Sequence, residues 1–345
     1  MGLFSSSNDD LFLGIDIGDS SIKMVELKRK GKSVSLSNYA FSENVSQTNF
    51  TKVEDIDYLV AAITKIKDSA NIKAKRVTAS LPTFSVFSSI IHLPSLDKKN
   101  LEYSIKEEAK KVIPLPLAEM ILDWKIIGEE DGGGAKIFLT GSPKKLVRKY
   151  IDIFSKAKMS LASLETETFS LVRALLGDDK STVMIAEIGA NSTDLSIIKE
   201  SIPMLNRSLE VCGATVTQDL AKSLDISFSQ AEQLKFDLSV NLSAKTQDQL
   251  AQIIVKSLEP IVQEIEYMLD FWTRGNNKPI EKIVLSGGGA LLLNLSQYLS
   301  ERLNMNVIIG DPWSRIGYAP EIKPVMAEIG PKLAVAIGLA MREVY

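Results

Sequence analysis

"GIDIGDSSIKMVEL", residues 14–27, decides the fold. Ile15 and Ile17 alternate with Asp16 and Gly18, three small polar residues follow, and the apolar pattern resumes after Lys23. Alternation on both sides of a small polar turn predicts a β-hairpin. A strand made for a core has no packing use for Asp16 at its end. The stretch "AEIGANSTDLSIIK", residues 186–199, repeats the shape. Asp16 then falls on Glu187, Gly18 on Gly189, Ser21 on Ser192 and Lys23 on Asp194, each pair 171 positions apart. The chain holds two copies of one acid–glycine hairpin.

Each copy opens the same order of elements. Strand patterns in "LFLGIDIG", "SIKMVELKRK" and "SVSLSNYAFS" precede an amphipathic helix in "VEDIDYLVAAITKIKDSANI", and "KRVTASLP" is a fourth strand. The second half runs "STVMIAEIG", "STDLSIIKE" and "IPMLNRSLEV", then helical segments over 214–275, with Pro260 expected to kink or split the longest. "EKIVLSGGG" is a strand ending in glycines, "ALLLNLSQYLSERLN" a helix, "NVIIGDP" a strand, and "PKLAVAIGLAMREV" a closing helix. Residues 83–162 have no counterpart in the second half and read as a small α+β unit. The expected division is a first domain over 9–82, 163–178 and 325–345, an inserted subdomain over 83–162, and a second domain over 179–324.

The 345 residues suit two domains, and 45% apolar with 24% charged residues is a globular profile. With 40 basic against 43 acidic residues the net charge is −3, which argues against a nucleic-acid surface. "KRKGK", residues 28–32, reads as a solvated hairpin turn. One cysteine, Cys212, and one histidine, His92, exclude an internal disulfide framework and a Cys/His zinc site. His92 reads as a packing residue. No continuous apolar run approaches the roughly 18–20 residues of a membrane span, and no secretory signal is present, so a cytoplasmic protein is expected.

A turn of glycine and serine lets backbone N–H groups approach a ligand closely, and phosphate oxygens accept from such groups. That assigns Gly18, Asp19, Ser20 and Ser21 from the first hairpin, and Gly189, Asn191 and Ser192 from the second, to a polyphosphate. Asp16 and Glu187 would hold Mg²⁺ or its waters, which offset the phosphate charge. Lys23 adds a point cation. "SGGGA" supplies Gly287, Gly288 and Gly289 as a close-packing turn against a flat ligand such as adenine. Neither of the two commonest nucleotide-binding glycine patterns occurs.

With these pieces in this order, the sequence resembles the actin and sugar-kinase superfamily, whose members bind ATP between two ribonuclease-H-like domains. Residues 14–23 resemble its first phosphate motif, 187–197 its second and 284–289 its adenosine motif. "SQAEQLK", residues 229–235, is similar to the helix bordering the nucleoside, which implies Glu232 and Lys235 near ribose and adenine; "CGATVTQDLA" implies Gly213. A subdomain inserted after the first half is similar to the cell-division protein FtsA. "EEAKKVIPLPLAEMILDWKII", the opening "LGIDIGDSSIKMVELKRKGKSVSLSNYA", "LETETFSLVRAL" and the ending "AVAIGLAMREV" are similar to the PilM family of type IV pilus assembly. The implied fold is an α/β, actin-like two-domain fold with an inserted FtsA-type α+β subdomain. The second motif carries Glu187 where the family usually has Asp. Asp194 and Glu187 are thus only weak candidates for catalysis, and at most weak ATPase activity is expected.

The PilM resemblance implies a scaffold that binds ATP with Mg²⁺ and docks the short cytoplasmic N-terminal tail of a PilN-like bitopic membrane protein, peripheral to the inner membrane. Other cytoplasmic pilus components and self-association stay open as partners. The alternatives are a small-molecule kinase, for which no sugar-binding cluster is visible, and an FtsA-like filament protein, whose amphipathic membrane helix is not expected after "LAMREV". The inserted subdomain is the expected docking module. Its groove with the first domain, between "SVFSSIIHLP" and "VIPLPL", would place Ile90, Leu93, Ile113 and Leu115 against the tail.

Overall fold

The computed structural model describes residues 10–18, 20–42, 55–95, 100–130, 133–237, 244–275, 278–292 and 294–344. Two five-stranded sheets repeat one plan. In the first, β1 (Leu11–Ile17), β2 (Ile22–Lys30) and β3 (Ser33–Phe41) form an antiparallel meander. β4 (Arg76–Leu81) and β8 (Ser160–Thr166) extend it in parallel with β1, in the order β3-β2-β1-β4-β8. In the second, β9 (Val183–Ile188), β10 (Thr193–Lys199) and β11 (Ile202–Leu209) are the meander, and β12 (Lys282–Ser286) and β13 (Val307–Ile309) the parallel pair, in the order β11-β10-β9-β12-β13.

Helix α1 (Ile56–Ser69) starts where Asp55 accepts hydrogen bonds from Asp57 N and Tyr58 N, an N-cap that satisfies two otherwise orphaned donors. Its apolar stripe buries Leu59 and Ile63 against Leu13, Ile15 and Val77 of the first sheet. On the second sheet α5 (Gly213–Leu224), α7 (Ala244–Arg274) and α8 (Leu295–Leu303) seal a core around Met184, Leu195 and Leu285. The long helix α7 is assigned unbroken through Pro260, with α6 (Phe228–Asp237) before it. The glycine stretch after β12 forms a 3-10 turn over Gly288–Leu291, so α8 begins later than the sequence pattern suggests.

Between the sheets lies α9 (Lys323–Met341), beside α4 (Glu167–Leu171) and the π-helical turn Val172–Leu176. Close approach requires small residues here: a Cβ on Gly14 would stand 2.0 Å from Ala336 O, and one on Gly338 2.0 Å from Ser170 O. The stretch Pro320–Met341 is long and apolar enough on average to cross a membrane, although it holds no continuous apolar run of that length. Burial of 72% of its apolar window inside the fold makes it a core helix.

The third sheet, β5-β7-β6, combines β5 (Phe87–Leu93), β6 (Met120–Glu130) and β7 (Gly134–Pro143) under α2 (Leu101–Val112). Three expectations about this region and its neighbours are corrected. Helix α3 (Lys144–Lys156) and the start of β8, read as insert, instead complete the first sheet's layer: Tyr150, Ile153 and Phe154 pack with Ile15 and Ala79. Trp313 and Ile316, read as second domain, pack with Val25 and Leu27 of the first sheet, and Gly317 bridges Ser35. His92, read as packing, is exposed, with Nδ1 2.8 Å from Glu130 Oε1.

Candidate functional site

The two hairpins meet at one cleft. Its lining joins Asp16, Gly18, Ser20 and Lys23 of the first to Glu187, Gly189, Asn191, Ser192 and Asp194 of the second, with Pro82, Phe84 and Glu167 between them. Both turns close the same way: Gly18 N donates to Ser21 O at 3.0 Å, and Gly189 N to Ser192 O at 2.9 Å. Asp19 lies outside the described residues, and Ser21 contributes its carbonyl to the turn.

Ladder register sets the charges. Asp16 pairs across β1–β2 with Lys23, and Glu187 pairs across β10–β9 with Asp194. Asp16 is buried; its Oδ2 accepts from Lys23 Nζ at 3.0 Å and its Oδ1 from Ser80 Oγ at 2.9 Å. Asp194 accepts from Ser208 Oγ and, at 3.5 Å, from Ser192 Oγ. Glu167, at the start of α4, holds the first residues of the insert: its Oε2 accepts from both Thr83 N and Thr83 Oγ1 at 3.0 Å. One carboxylate oxygen from each of Glu167, Glu187 and Asp194 lies within 4.8 Å of the others.

Such a concentration of negative charge resists ionisation. Burial, then Asp194 and Asp16, push Glu187 up to about 8, with Lys23 pulling the other way. Glu167 is raised well above the usual carboxylate range by burial, then by Glu187, Asp16 and Asp194. Burial alone would lower the Lys23 ammonium, but Asp16, Glu187 and Glu167 together raise it. Three carboxylates gathered this closely, with burial and then mutual repulsion raising Glu187 and Glu167, are a donor set that fits a hard divalent cation. Of the two expected cation residues, Glu187 belongs to this trio, whereas Asp16 is tied to Lys23 and Ser80 beside it; Asp194 completes the trio with Glu167, which was missed because a lone glutamate after a strand carries no motif.

At the residues expected to receive the nucleoside, Gly213 N donates to Gly189 O at 3.0 Å and Ala214 N to Ala190 O at 2.9 Å, which fastens the start of α5 to the second hairpin. Lys235 Nζ donates to Glu232 Oε2 at 2.8 Å, Thr217 Oγ1 at 2.9 Å and Gly213 O at 3.2 Å, so Gly213, Glu232 and Lys235 form one polar corner. The three glycines after β12 divide their work. Gly287, at φ +78°, and Gly289 would each drive a Cβ into Ile188, at 2.4 Å from its O and 2.2 Å from its Cγ2 respectively. Gly288 is exposed, and its Cβ would meet only Lys332 Cγ at 3.8 Å.

The expected partner wall is corrected. Leu93 and Ile113 are sealed in the insert's own core with Ile105, Ala109 and Ile137, because α2 packs on that face of the sheet. Ile90 is half-buried on the opposite face, and Leu115 is 50% exposed.

Residues 14–344 match the family described as type IV pilus assembly protein PilM. Among solved structures, the PilM-PilN type IV pilus biogenesis complex superposes with a TM-score of 0.83 at 24% identity, covering 97% of this chain and 98% of that one. MreB 5 of Spiroplasma citri bound to AMPPNP gives 0.56 at 13% identity over 96% of each chain. The cell division protein FtsA of Bacillus subtilis is 20% identical over 89% of this chain and 80% of its own length. The fold is therefore actin-like, and the chain belongs to the PilM family of type IV pilus assembly proteins.

Proposed function

We propose that the chain is an ATP-binding scaffold of the type IV pilus inner-membrane complex, held at the cytoplasmic face by the short N-terminal tail of a PilN-like membrane protein. The observation that carries this reading is the convergence of two hairpins, 171 positions apart in sequence, on one cleft with matching turn hydrogen bonds. Turn N–H groups, Ser20, Ser192 and Lys23 receive the phosphates. Glu187, Asp194 and Glu167 hold Mg²⁺, with Asp16 beside them acting through water, and the ion neutralises phosphate charge when bound. Gly213, Glu232, Lys235 and the open space over Gly288 receive the nucleoside. Turnover is weak at most. The insert carries the partner. Its docking surface uses Ile90 and Leu115, which remain reachable where Leu93 and Ile113 do not. An extended tail seats alternate apolar side chains in such a surface.

Calorimetry tests the nucleotide half. Gly288→Val adds bulk into open space, so it keeps the fold and lowers ATP affinity at least about tenfold, or about 1.4 kcal/mol. Equal affinity in a folded variant sinks the site. For the partner half, Leu115→Glu weakens binding of a PilN-like tail peptide and leaves ATP affinity intact. Normal tail binding by that variant moves the docking surface elsewhere.

A further inference from the structure

At the end of the first sheet opposite the cleft, three loops meet. Leu11 at the start of β1 pairs with Lys28, and Lys30 pairs with Ser33 across the β2–β3 turn. β4 begins beside them, with Arg76 paired to Ser160 of β8. Two bonds tie the α1–β4 loop into this end: Lys73 N donates to Glu26 Oε1 at 2.7 Å, and Ser160 N donates to Lys75 O at 2.8 Å. "KRKGK" (28–32) and "KAKR" (73–76), distant in sequence, therefore share one surface, which Lys158 extends.

The arginines and acids here are largely spent on the fold. Arg29 lies 5.1 Å over the Phe12 ring and donates to Glu343 O, while Arg76 pairs with Glu343 at 2.8 Å. Glu26 is buried, accepting from Ser37, Lys73 N and Ala74 N. Lys28, Lys30, Lys32, Lys73, Lys75 and Lys158 are exposed, and none enters an ion pair among the described residues. Against them stand the exposed acids Asp10 and Asp68. This excess sits on a chain of net charge −3, so it is not the by-product of a basic protein.

We infer that this end is a lysine front for an anionic membrane surface, with acidic phospholipid headgroups as its ligand. Lysine is a compact charge on a flexible stem, suited to a diffuse field of phosphates and not to bidentate recognition of one. The six lysines sit at the end of β2 and on the adjacent loops, and none of the exposed aromatic residues lies there to stack a base. The choice of a membrane rests on the proposed docking to a membrane protein's short tail, which keeps the chain within reach of the surface potential. Tail and lysine front then act as two linked weak contacts.

The test sediments the full chain with vesicles of about 30 mol% phosphatidylglycerol in phosphatidylcholine, and of phosphatidylcholine alone. Partitioning onto the anionic vesicles should exceed that onto neutral ones at least about tenfold, and collapse between about 0.1 M and about 0.5 M salt as screening shortens. The variant Lys30→Gln, Lys32→Gln, Lys73→Gln, Lys75→Gln should lose about tenfold on anionic vesicles with an unchanged circular dichroism spectrum. Equal partitioning onto neutral vesicles, or an unaltered variant, overturns the inference. Stronger capture of the chain by a short DNA duplex at the same salt overturns it in favour of nucleic acid. ATP affinity is measured on both proteins; its absence would sink the proposed function and leave the vesicle result standing.

Discussion

The two glycine hairpins share a backbone and differ in charge. Each turn is closed by a glycine N–H on a serine carbonyl three residues on. Opposite the acid, however, the first hairpin has Lys23 and the second has Asp194. The acid of the first hairpin is therefore balanced by its own lysine, while the second gathers acids to which Glu167 adds. A repeated turn keeps its geometry through its hydrogen bond, and one ladder position decides whether a hairpin balances its acid or adds to it.

Opposite substitutions at the equivalent positions break this comparison most sharply. Lys23→Met leaves Asp16 buried with Ser80 as its remaining side-chain donor among the described residues. Its cost should be about 2–3 kcal/mol, between the ranges for surface and buried pairs, because Lys23 is itself partly exposed. Asp194→Asn removes a like charge from the trio, so without divalent cation it should be neutral or stabilising. Both should weaken Mg²⁺–ATP binding. Thermal melts in a chelator separate them: destabilisation by both would mean that the second hairpin is not electrostatically strained.

The turns themselves should differ by less. A Cβ on Gly189 would lie 2.9 Å from Ser192 O, whereas one on Gly18 would lie 3.3 Å from Ser21 O. Gly189→Ala must move backbone and should cost about 1–2 kcal/mol; Gly18→Ala should cost less than about 1 kcal/mol. Urea denaturation of the two variants checks the ranking, and equal costs would show that the second turn yields as easily as the first.

The hairpins were legible because a turn and its flanking strands are local, and local patterns survive in sequence. The repeat of the whole plan was legible for the same reason. Glu167 was not, since its place in the trio depends on α4 arriving between the sheets. Helix α3 has the amphipathic pattern of any packing helix, and nothing in its sequence says that its partners are Ile15 and Ala79 and not the insert. Leu93 and Ile113 look alike to Leu115 as apolar residues flanking a strand and a proline turn; only the position of α2 buries the first two. The lysine front needed two loops from separate hairpin and helix connections to be brought side by side.

Acidity sharpens the same contrast. Burial, then Asp194 and Asp16, push Glu187 from the ordinary carboxylate value of 4.5 up to about 8 in the fold. Across that window the folded chain holds a proton that the unfolded chain has released, so stability falls as pH rises. Glu167 acts in the same direction. Metal-free protein should therefore lose stability between about pH 5 and about pH 8, and Mg²⁺ should restore it most at the alkaline end. In Glu187→Gln the slope should flatten. A metal-free stability that rises through this range would contradict the strained trio.

The smallest expected effect comes from Glu187→Asp, which restores the residue usual at this place in the superfamily. Shortening by one methylene draws the carboxylate back along β9, away from Glu167 and toward its own strand. Repulsion within the trio eases, so the acid should ionise at lower pH and the metal-free protein should gain a little stability. The cation loses reach at the same time, and the two changes oppose each other in binding. Mg²⁺–ATP affinity should then change by less than about threefold, under about 1 kcal/mol. Phosphate release should stay slow, because Asp194 and Glu167 are unaltered. A turnover near 10 s⁻¹, about the median for enzymes, in this variant or in the parent would replace the scaffold reading with a kinase or a true ATPase.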